Sequence, residues 1–511
     1  MEELEHEKVI HAPRSQTAGT GFVQNLRQLF IVEKLYNPVG LGVLILITLI
    51  VGAGIAYLGL VFGILFLLLL AGIPVTIFIV AYPKFGMIVL VIMAYMLFVI
   101  LQTGIDFPVG TLMDGLQVLL LLGMLIRMKV EKASWSIFKS PITTVIFIWL
   151  GYNLLEVVNP IAVSHLAWLY TIRSVAIVSF CYFVFMYNIR SVKYMRVMFT
   201  LWLVLSFLGA AYGFKQEYIG FNSHELQYLN TPGIADLLFI DGHWRKFSFF
   251  SDPVAFAYNM VMPSIFCICI IITPIKLWQK IGLIALVLFF LDSMLFSGTR
   301  GANVLLPAAL LLLAVLKFSK RVLLYISIAA VFLAVLIVMP TSNPNILRFQ
   351  TAFRPNNDDS YNLRKRNQKR IQPYIQDHMF GGGLGATGVW GQRFAPDSYL
   401  AHFPPDSGYM RVAVEDGWIG LLVFCIFMFV ILRTGINNYY LIDDPELKTY
   451  CLAMTLILFA YNLANFPQEA LVQFPSNIMF YLEAALVNVT LRLDRQLKDE
   501  KAKTILAAIS V

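Results

Sequence analysis

Long apolar runs free of charge alternate along this chain with short clusters of lysine and arginine, and that alternation decides what the chain can fold into. About twenty consecutive apolar residues span a bilayer, and an ionised side chain at mid-depth costs several kcal/mol. Only 13% of the 511 residues are charged and mean hydropathy is +0.74, whereas a soluble domain carries about a quarter charged residues. The pattern predicts an all-α polytopic membrane protein of about 14 transmembrane helices (about 12–14) with a large, partly helical outer-face loop. The spans fall at 39–57, 59–81, 85–102, 111–128, 141–158, 166–187, 196–214, 254–274, 281–297, 302–317, 322–340, 417–433, 448–464 and 474–490.

Charge fixes the expected orientation, because short cytoplasmic loops carry an excess of Lys and Arg. Lys84, Arg127/Lys129/Lys132, Arg190/Lys193/Arg196, Lys276/Lys280, Lys317/Lys320/Arg321 and the tail Arg492–Lys503 share one side if the N-terminus is inside. The opposite short loops, 103–110, 159–165 and 465–473, hold no Lys or Arg. The expected organisation is therefore a cytoplasmic tail (1–38), eleven helices (39–340) interrupted by an outer loop (215–253), a large outer loop (341–416), three helices (417–490) and a cytoplasmic tail (491–511). The first tail has no signal-peptide core and an amphipathic stretch near Phe22–Tyr36.

The same reading excludes several function classes. The net charge of +8 is topological, and no basic groove with interleaved aromatics suggests nucleic acid. All five cysteines sit in apolar runs, without the spacing of a disulfide framework or a metal site. No internal repeat appears, nor the paired Gly/Pro-broken helices that point to a secondary transporter. A flippase or transporter remains an alternative from another class.

Polar residues instead crowd into the expected outer loops. Ser297-Gly298-Thr299-Arg300-Gly301 links two spans. Arg300 there suits a phosphate, because the guanidinium fork binds its oxygens bidentately, or it snorkels from a plain turn. Trp244-Arg245-Lys246 to Asp252-Pro253 reads either as an interfacial anchor or as part of a polar site. Gln216 and Glu217, at the outer end of a span, line a polar cavity or sit at the interface. Arg173 lies inside a span, where arginine faces a cavity, pairs with a carboxylate or snorkels. In the long loop, Ser360–Arg370 is strongly basic and reads as helical, with Arg364 one turn from Ser360. The run Gly381-Gly382-Gly383-Leu384-Gly385 reads as a turn where backbone approaches a ligand. Last comes His402, with Asp406-Ser407-Gly408-Tyr409, Arg411, Glu415, Gly417 and Gly420. A carboxylate or imidazole can take a proton from an attacking hydroxyl, so Asp406 is the first candidate base and His402 the second. Asp406 reads equally as the cap of a helix starting at Ser407. Glu415 is a third base or a helix brace.

These motifs, in this order over roughly 240–420, resemble the O-antigen ligase and O-antigen (exopolysaccharide) polymerase superfamily of bacterial membrane glycosyltransferases. Ligases of that family carry His-Asn where this chain has Asp406-Ser407, and the aspartate version is more similar to polymerases. The resemblance implies an inverting, metal-independent and cofactor-free transfer from undecaprenyl-diphosphate-linked oligosaccharide at the outer face of the bacterial cytoplasmic membrane. It assigns Asp406 and His402 to catalysis, and Arg300, Arg245, Arg364, Arg173, Arg411 and Glu415 to the diphosphate and sugar. A chain-length regulator, a flippase and membrane lipid are the implied partners. An O-antigen ligase acting on a lipid or protein acceptor is the alternative within the family.

Overall fold

Hydrocarbon leaves a helix to satisfy its own backbone, so helix starts gather where a polar cap is available. Ser140 caps Pro141–Leu155, Ser164 caps His165–Asn188 and Ser191 caps Val192–Tyr218, each through its hydroxyl oxygen. Asp252 and Asp444 do the same for Pro253–Ile271 and Pro445–Ala464. Three of these five helices have proline in the first turn, where its missing N–H costs nothing.

A computed structural model describes residues 38–58, 72–102, 109–231, 234–240, 242–342, 344–351, 353 and 359–509 of the chain. Among them, nine helices are long and apolar enough to cross a membrane: 83–101, 109–130, 141–158, 165–188, 192–218, 253–271, 277–296, 417–441 and 445–464. Shorter apolar helices occupy Arg300–Leu316 and Val322–Val338. Part of the expected second span and the amphipathic stretch near Phe22–Tyr36 lie outside the described residues. The structure is thus polytopic and helical; its one strand pair is the two-residue antiparallel ladder Phe239–Ile240 with His243–Trp244, among the described residues.

The chain divides at Phe78. The first unit contributes the apolar helix Pro38–Leu58, in which Thr48 returns its hydroxyl to Leu44 O at 2.8 Å. The first unit also takes residues 72–78, and the second unit, Ile79–Val511, holds the rest. Its centre is Pro253–Ile271, 78% buried over its apolar window, flanked by Pro445–Ala464 at 67%; Leu277–Phe296, at 28%, faces outward. Small residues let central helices approach closely. A Cβ on Gly435 would sit 2.5 Å from Thr455 Oγ1, and one on Gly213 would sit 2.5 Å from the Phe256 ring.

Hydrogen bonds between loops sort them into two ends. At one end Arg190 pairs with Glu131 at 2.7 Å, Arg196 with Glu446 at 2.5 Å, and Arg492 donates to Met186 O and Ile189 O. At the other, Asn159 donates to Phe380 O, Ser251 to Gln473 Oε1, and Gly408 N to Asn465 O. The first end gathers the basic loops, and the second gathers the Lys/Arg-free loops 159–165 and 465–473 with the long loop.

One segment differs from expectation. The last span and its tail form one continuous helix, Ser476–Ile509, because its charged second half holds good helix formers with no breaker. The long loop is helical in part, as expected, with Pro344–Thr351, Asp359–Asp377, Gly388–Phe394 and Gly408–Glu415.

Candidate active-site cavity

Two sequence motifs form one hydrogen-bonded block at the end of the bundle that carries the long loop. Ser297 donates its hydroxyl to Met294 O and accepts Thr299 N, which closes the turn before Arg300. Arg245 then donates Nε to Ser297 O at 2.9 Å and Nη2 to Thr299 Oγ1 at 3.1 Å. Thr299 in turn donates to Pro253 O, beside the Asp252 cap that accepts Val254 N and Ala255 N. Beneath the block, buried Gln216 accepts Phe247 N and Ser248 N and donates to Glu225 and Ser248 O. Glu217 pairs with Lys246 at 3.1 Å. Gln216 and Glu217 therefore brace the Arg245 loop, and the structure gives them that work in place of a cavity lining.

Against this block opens a cavity of about 730 Å³, lined by Arg245, Asp252, Tyr258, Arg364, Asp406 and Glu469 among others. Arg364 comes from the Asp359–Asp377 helix. On that helix Arg364, Asn367 and Ile371 share one face at helical spacing. Ile371 is buried against Ala386, Leu400, Phe403 and Val414, and Asn367 Nδ2 donates to Asp406 Oδ2 at 3.0 Å. Lys365, Arg366, Lys369 and Arg370 point out to solvent. Of the basic run, one residue is thus turned into the cavity by the helix register.

Formal charge in the lining is two arginines against three carboxylates, so the cavity is mixed in charge and not electropositive. Asp252 is committed to helix N–H groups and Ser251. Glu469 is paired with Arg411 at 2.7 Å. Burial pushes the Glu469 carboxyl above the usual carboxylate range, against the pull of Arg411. Asp406 keeps one carboxylate oxygen on Asn367. It is not the helix cap, for Ser407 holds that place and accepts Met410 N. The physical reason is register: the helix begins at Gly408, one residue later than a cap at Asp406 requires.

The remaining predicted residues stand elsewhere. Arg300 starts the Arg300–Leu316 helix, and its neighbour Gly301 faces Pro467 and the Tyr258 hydroxyl, so Arg300 lies beside the cavity wall. His402 is exposed in the short 3₁₀ turn Tyr399–His402, with Nε2 2.7 Å from Pro396 O. Arg173 pairs with Asp114 at 3.2 Å and lies over the Tyr170 ring, away from Arg245 and Arg364. Arg411 bridges Glu415 at 3.2 Å and Glu469, and of the three only Glu469 is in the cavity lining. Glu415 is buried and accepts Gly385 N, Thr387 N and the Thr387 hydroxyl as well as Arg411.

That wiring corrects the reading of the glycine run. Its backbone closes on protein: Gly382 N donates to Val414 O, Gly383 N to Glu415 O, and Gly382 O accepts Val163 N. Gly381, with φ +68°, would place a Cβ 2.5 Å from Glu415 O, and Gly417, with φ +70°, one in collision with Met379 O. Gly417→Ala is accordingly expected to destabilise the loop by about 1–3 kcal/mol from backbone strain alone, before the clash is counted. Thermal unfolding of the detergent-solubilised protein measures it. An unchanged midpoint would refute the close approach.

Glu469 was not anticipated from sequence, although a carboxylate in a loop without a single Lys or Arg was a visible signal. No curated protein matches the chain. Residues 284–425 match the family model described as O-antigen ligase. That stretch carries the Ser297–Gly301 turn, the Arg364 helix, the glycine run and Asp406–Gly420, and leaves Arg245 and Glu469 outside it. The match supports the chain's place in the O-antigen ligase and polymerase superfamily, among membrane proteins of polysaccharide processing.

Proposed function

We propose that the chain polymerises lipid-linked oligosaccharide repeat units, moving glycan from undecaprenyl diphosphate onto the next lipid-linked repeat. The observation that carries the reading is that Arg245, Arg364 and Asp406 line one cavity, where Asp406 Oδ2 accepts a hydrogen bond from Asn367. The acceptor hydroxyl attacks the anomeric carbon and forms the new C–O bond. Its proton passes to Asp406. The bond from the anomeric carbon to the phosphate oxygen breaks, and the diphosphate leaves with the electron pair. Arginine charge meets the oxygens where negative charge builds, the role a metal ion plays in other transferases. Attack opposite the leaving group inverts the anomeric centre. An O-antigen ligase is the second reading, favoured by the description of the matching family.

The membrane is proposed to be the bacterial cytoplasmic membrane, with both termini and the basic end inside and the cavity outside. A chain-length regulator and a flippase of the same pathway are the proposed partners. Arg366 is exposed on the outward face of the Asp359–Asp377 helix. A cysteine placed there in a chain cleared of its own cysteines is expected to react with a membrane-impermeant maleimide in intact spheroplasts. Labelling only after lysis would overturn the orientation and the mechanism with it. Surface glycan and lipid-linked intermediates from a deletion strain separate the functions. Polymerase loss leaves single repeat units, ligase loss leaves long chains on the carrier, and flippase loss strands units inside.

A further inference from the structure

A second cavity, about 310 Å³, opens between the helices on the other side of Arg411. Arg411 lines it, and the partner of Arg411, Glu469, lines the first, so one ion pair divides the two spaces. Its volume is in the range of small-ligand sites, about 300–1,000 Å³. Its walls are aromatic, with Trp149, Trp390, Phe424 and Tyr481 among them. Trp390 is packed in place by Tyr170 and Phe394, at 4.7 and 6.0 Å between ring centroids.

The polar atoms among these rings are the informative ones. Three donors of the lining are spent on backbone carbonyls: Asn153 Nδ2 on Trp149 O at 2.8 Å, Thr171 on Ala167 O at 2.8 Å and Ser174 on Tyr170 O. Arg411 is spent on Glu415 and Glu469. The buried oxygens of the lining that have neither a hydrogen-bond partner nor an ion pair are Asn153 Oδ1 and Asp416 Oδ1; Asp114 Oδ2 is held by Arg173 at 3.2 Å. Asn153 is fully buried and Asp416 is 1% exposed. Buried acceptors left unpaired are costly, so a matching occupant brings donors. Hydrocarbon brings none, and a phosphate brings further acceptors in place of donors. Hydroxyl-rich rings bring both the donors and apolar faces that lie against aromatic side chains.

We infer that this second cavity is a carbohydrate subsite, which holds sugar hydroxyls on Asn153 and Asp416 between Trp149 and Trp390. The inference rests on the polymerase reading and deepens it, with diphosphate on the arginine side of the Arg411–Glu469 pair and glycan on the other. Burial, reinforced by neighbouring Glu415, holds the Asp416 carboxyl well above the usual range. A carboxyl so held accepts from a sugar hydroxyl and, when protonated, also donates to one.

The test uses the full-length chain in detergent and two probes: glycan released by mild acid from the host's carrier lipid, and sugar-free polyprenyl diphosphate. Calorimetric titration is expected to give saturable glycan binding. Asn153→Leu should weaken it at least tenfold, and Ser174→Phe, which fills the cavity from a half-buried position, should abolish it. Both variants should bind polyprenyl diphosphate as before, whereas Arg364→Ala should lose that ligand and keep the glycan. If Asn153→Leu fails to fold, Ser174→Phe alone decides. Wild-type glycan affinity in the folded variants would overturn the subsite, as would no glycan binding by a wild-type chain that binds polyprenyl diphosphate. Loss of polyprenyl diphosphate in Ser174→Phe would give the cavity to the lipid chain and overturn it too. None of these outcomes bears on Arg364, so the polymerase reading stands or falls separately, on the intermediates of the deletion strain.

Discussion

Asp406→Asn is expected to lower the rate of glycan polymerisation by about 10²–10⁴-fold, the range a positioned general base contributes. The substitution is nearly isosteric. Asparagine keeps an oxygen for Asn367 Nδ2, and Ser407 continues to cap Gly408–Glu415, so fold and cavity shape are unaffected. What disappears is the group that takes the hydroxyl proton. The assay is polymerisation by purified protein given lipid-linked donor, alongside thermal unfolding of both proteins. His402→Ala is expected to leave the rate unchanged, because that ring is exposed and held at Pro396 O, outside the cavity lining. A wild-type rate in Asp406→Asn would remove Asp406 from the chemistry. Glu469→Gln would then be tested next, since Glu469 is the other cavity carboxylate not spent on a helix start. Burial raises its proton affinity, which also favours a base. It is ranked second because Arg411 already takes one of its oxygens.

The contrast between Asp406 and Glu469 shows what sequence can and cannot carry. Helices were legible because hydropathy is a local property: nine expected spans coincide with apolar helices long enough to cross a membrane. The sorting of loops to two ends followed from charge, and contacts such as Arg196–Glu446 and Asn159–Phe380 respect it. Within the site, Arg245, Arg364 and Asp406 could be picked because each sits in a polar motif of its own. Their meeting was expected only through the family resemblance; the residues alone do not give it, for it depends on how Asp359–Asp377 rotates to turn Arg364 and Asn367 inward. Arg411 and Glu415 looked like ligand contacts because charge near a membrane re-entry is rare. Only the fold supplies the backbone amides of Gly385 and Thr387 that occupy Glu415. The glycine run misled for a related reason. Positive φ and the missing Cβ announce a close approach, but not what approaches, and here it is the Glu415–Gly417 turn.

Arg364→Lys and Arg245→Lys are expected to differ, and the difference separates binding from bracing. Both keep the charge and lose the planar fork. Arg364 lines the cavity from an external helix whose fold rests on Ile371 and Asn367. Its replacement should leave thermal stability within about 0.5 kcal/mol, as for other substitutions away from packing. Polymerisation should fall by about 10²–10³-fold, the cost of removing one donor from the site where charge develops. Arg245 has a second duty. Its Nε and Nη2 hold Ser297 O and Thr299 Oγ1 at once, and a lysine ammonium cannot span both positions from one stem. Arg245→Lys should therefore lower the unfolding midpoint together with activity, since the turn that starts Arg300–Leu316 loses its clamp. Thr299→Val offers the complementary case. It removes the acceptor of Arg245 Nη2 and the donor to Pro253 O while leaving every cavity arginine in place. If Arg245 acts mainly as clamp, Thr299→Val reproduces most of its stability loss. If Arg245 acts mainly on the diphosphate, Thr299→Val is destabilised yet far more active than Arg245→Lys. Equal activity of Arg364→Lys and wild type would take Arg364 out of the donor site, whatever the other two variants do.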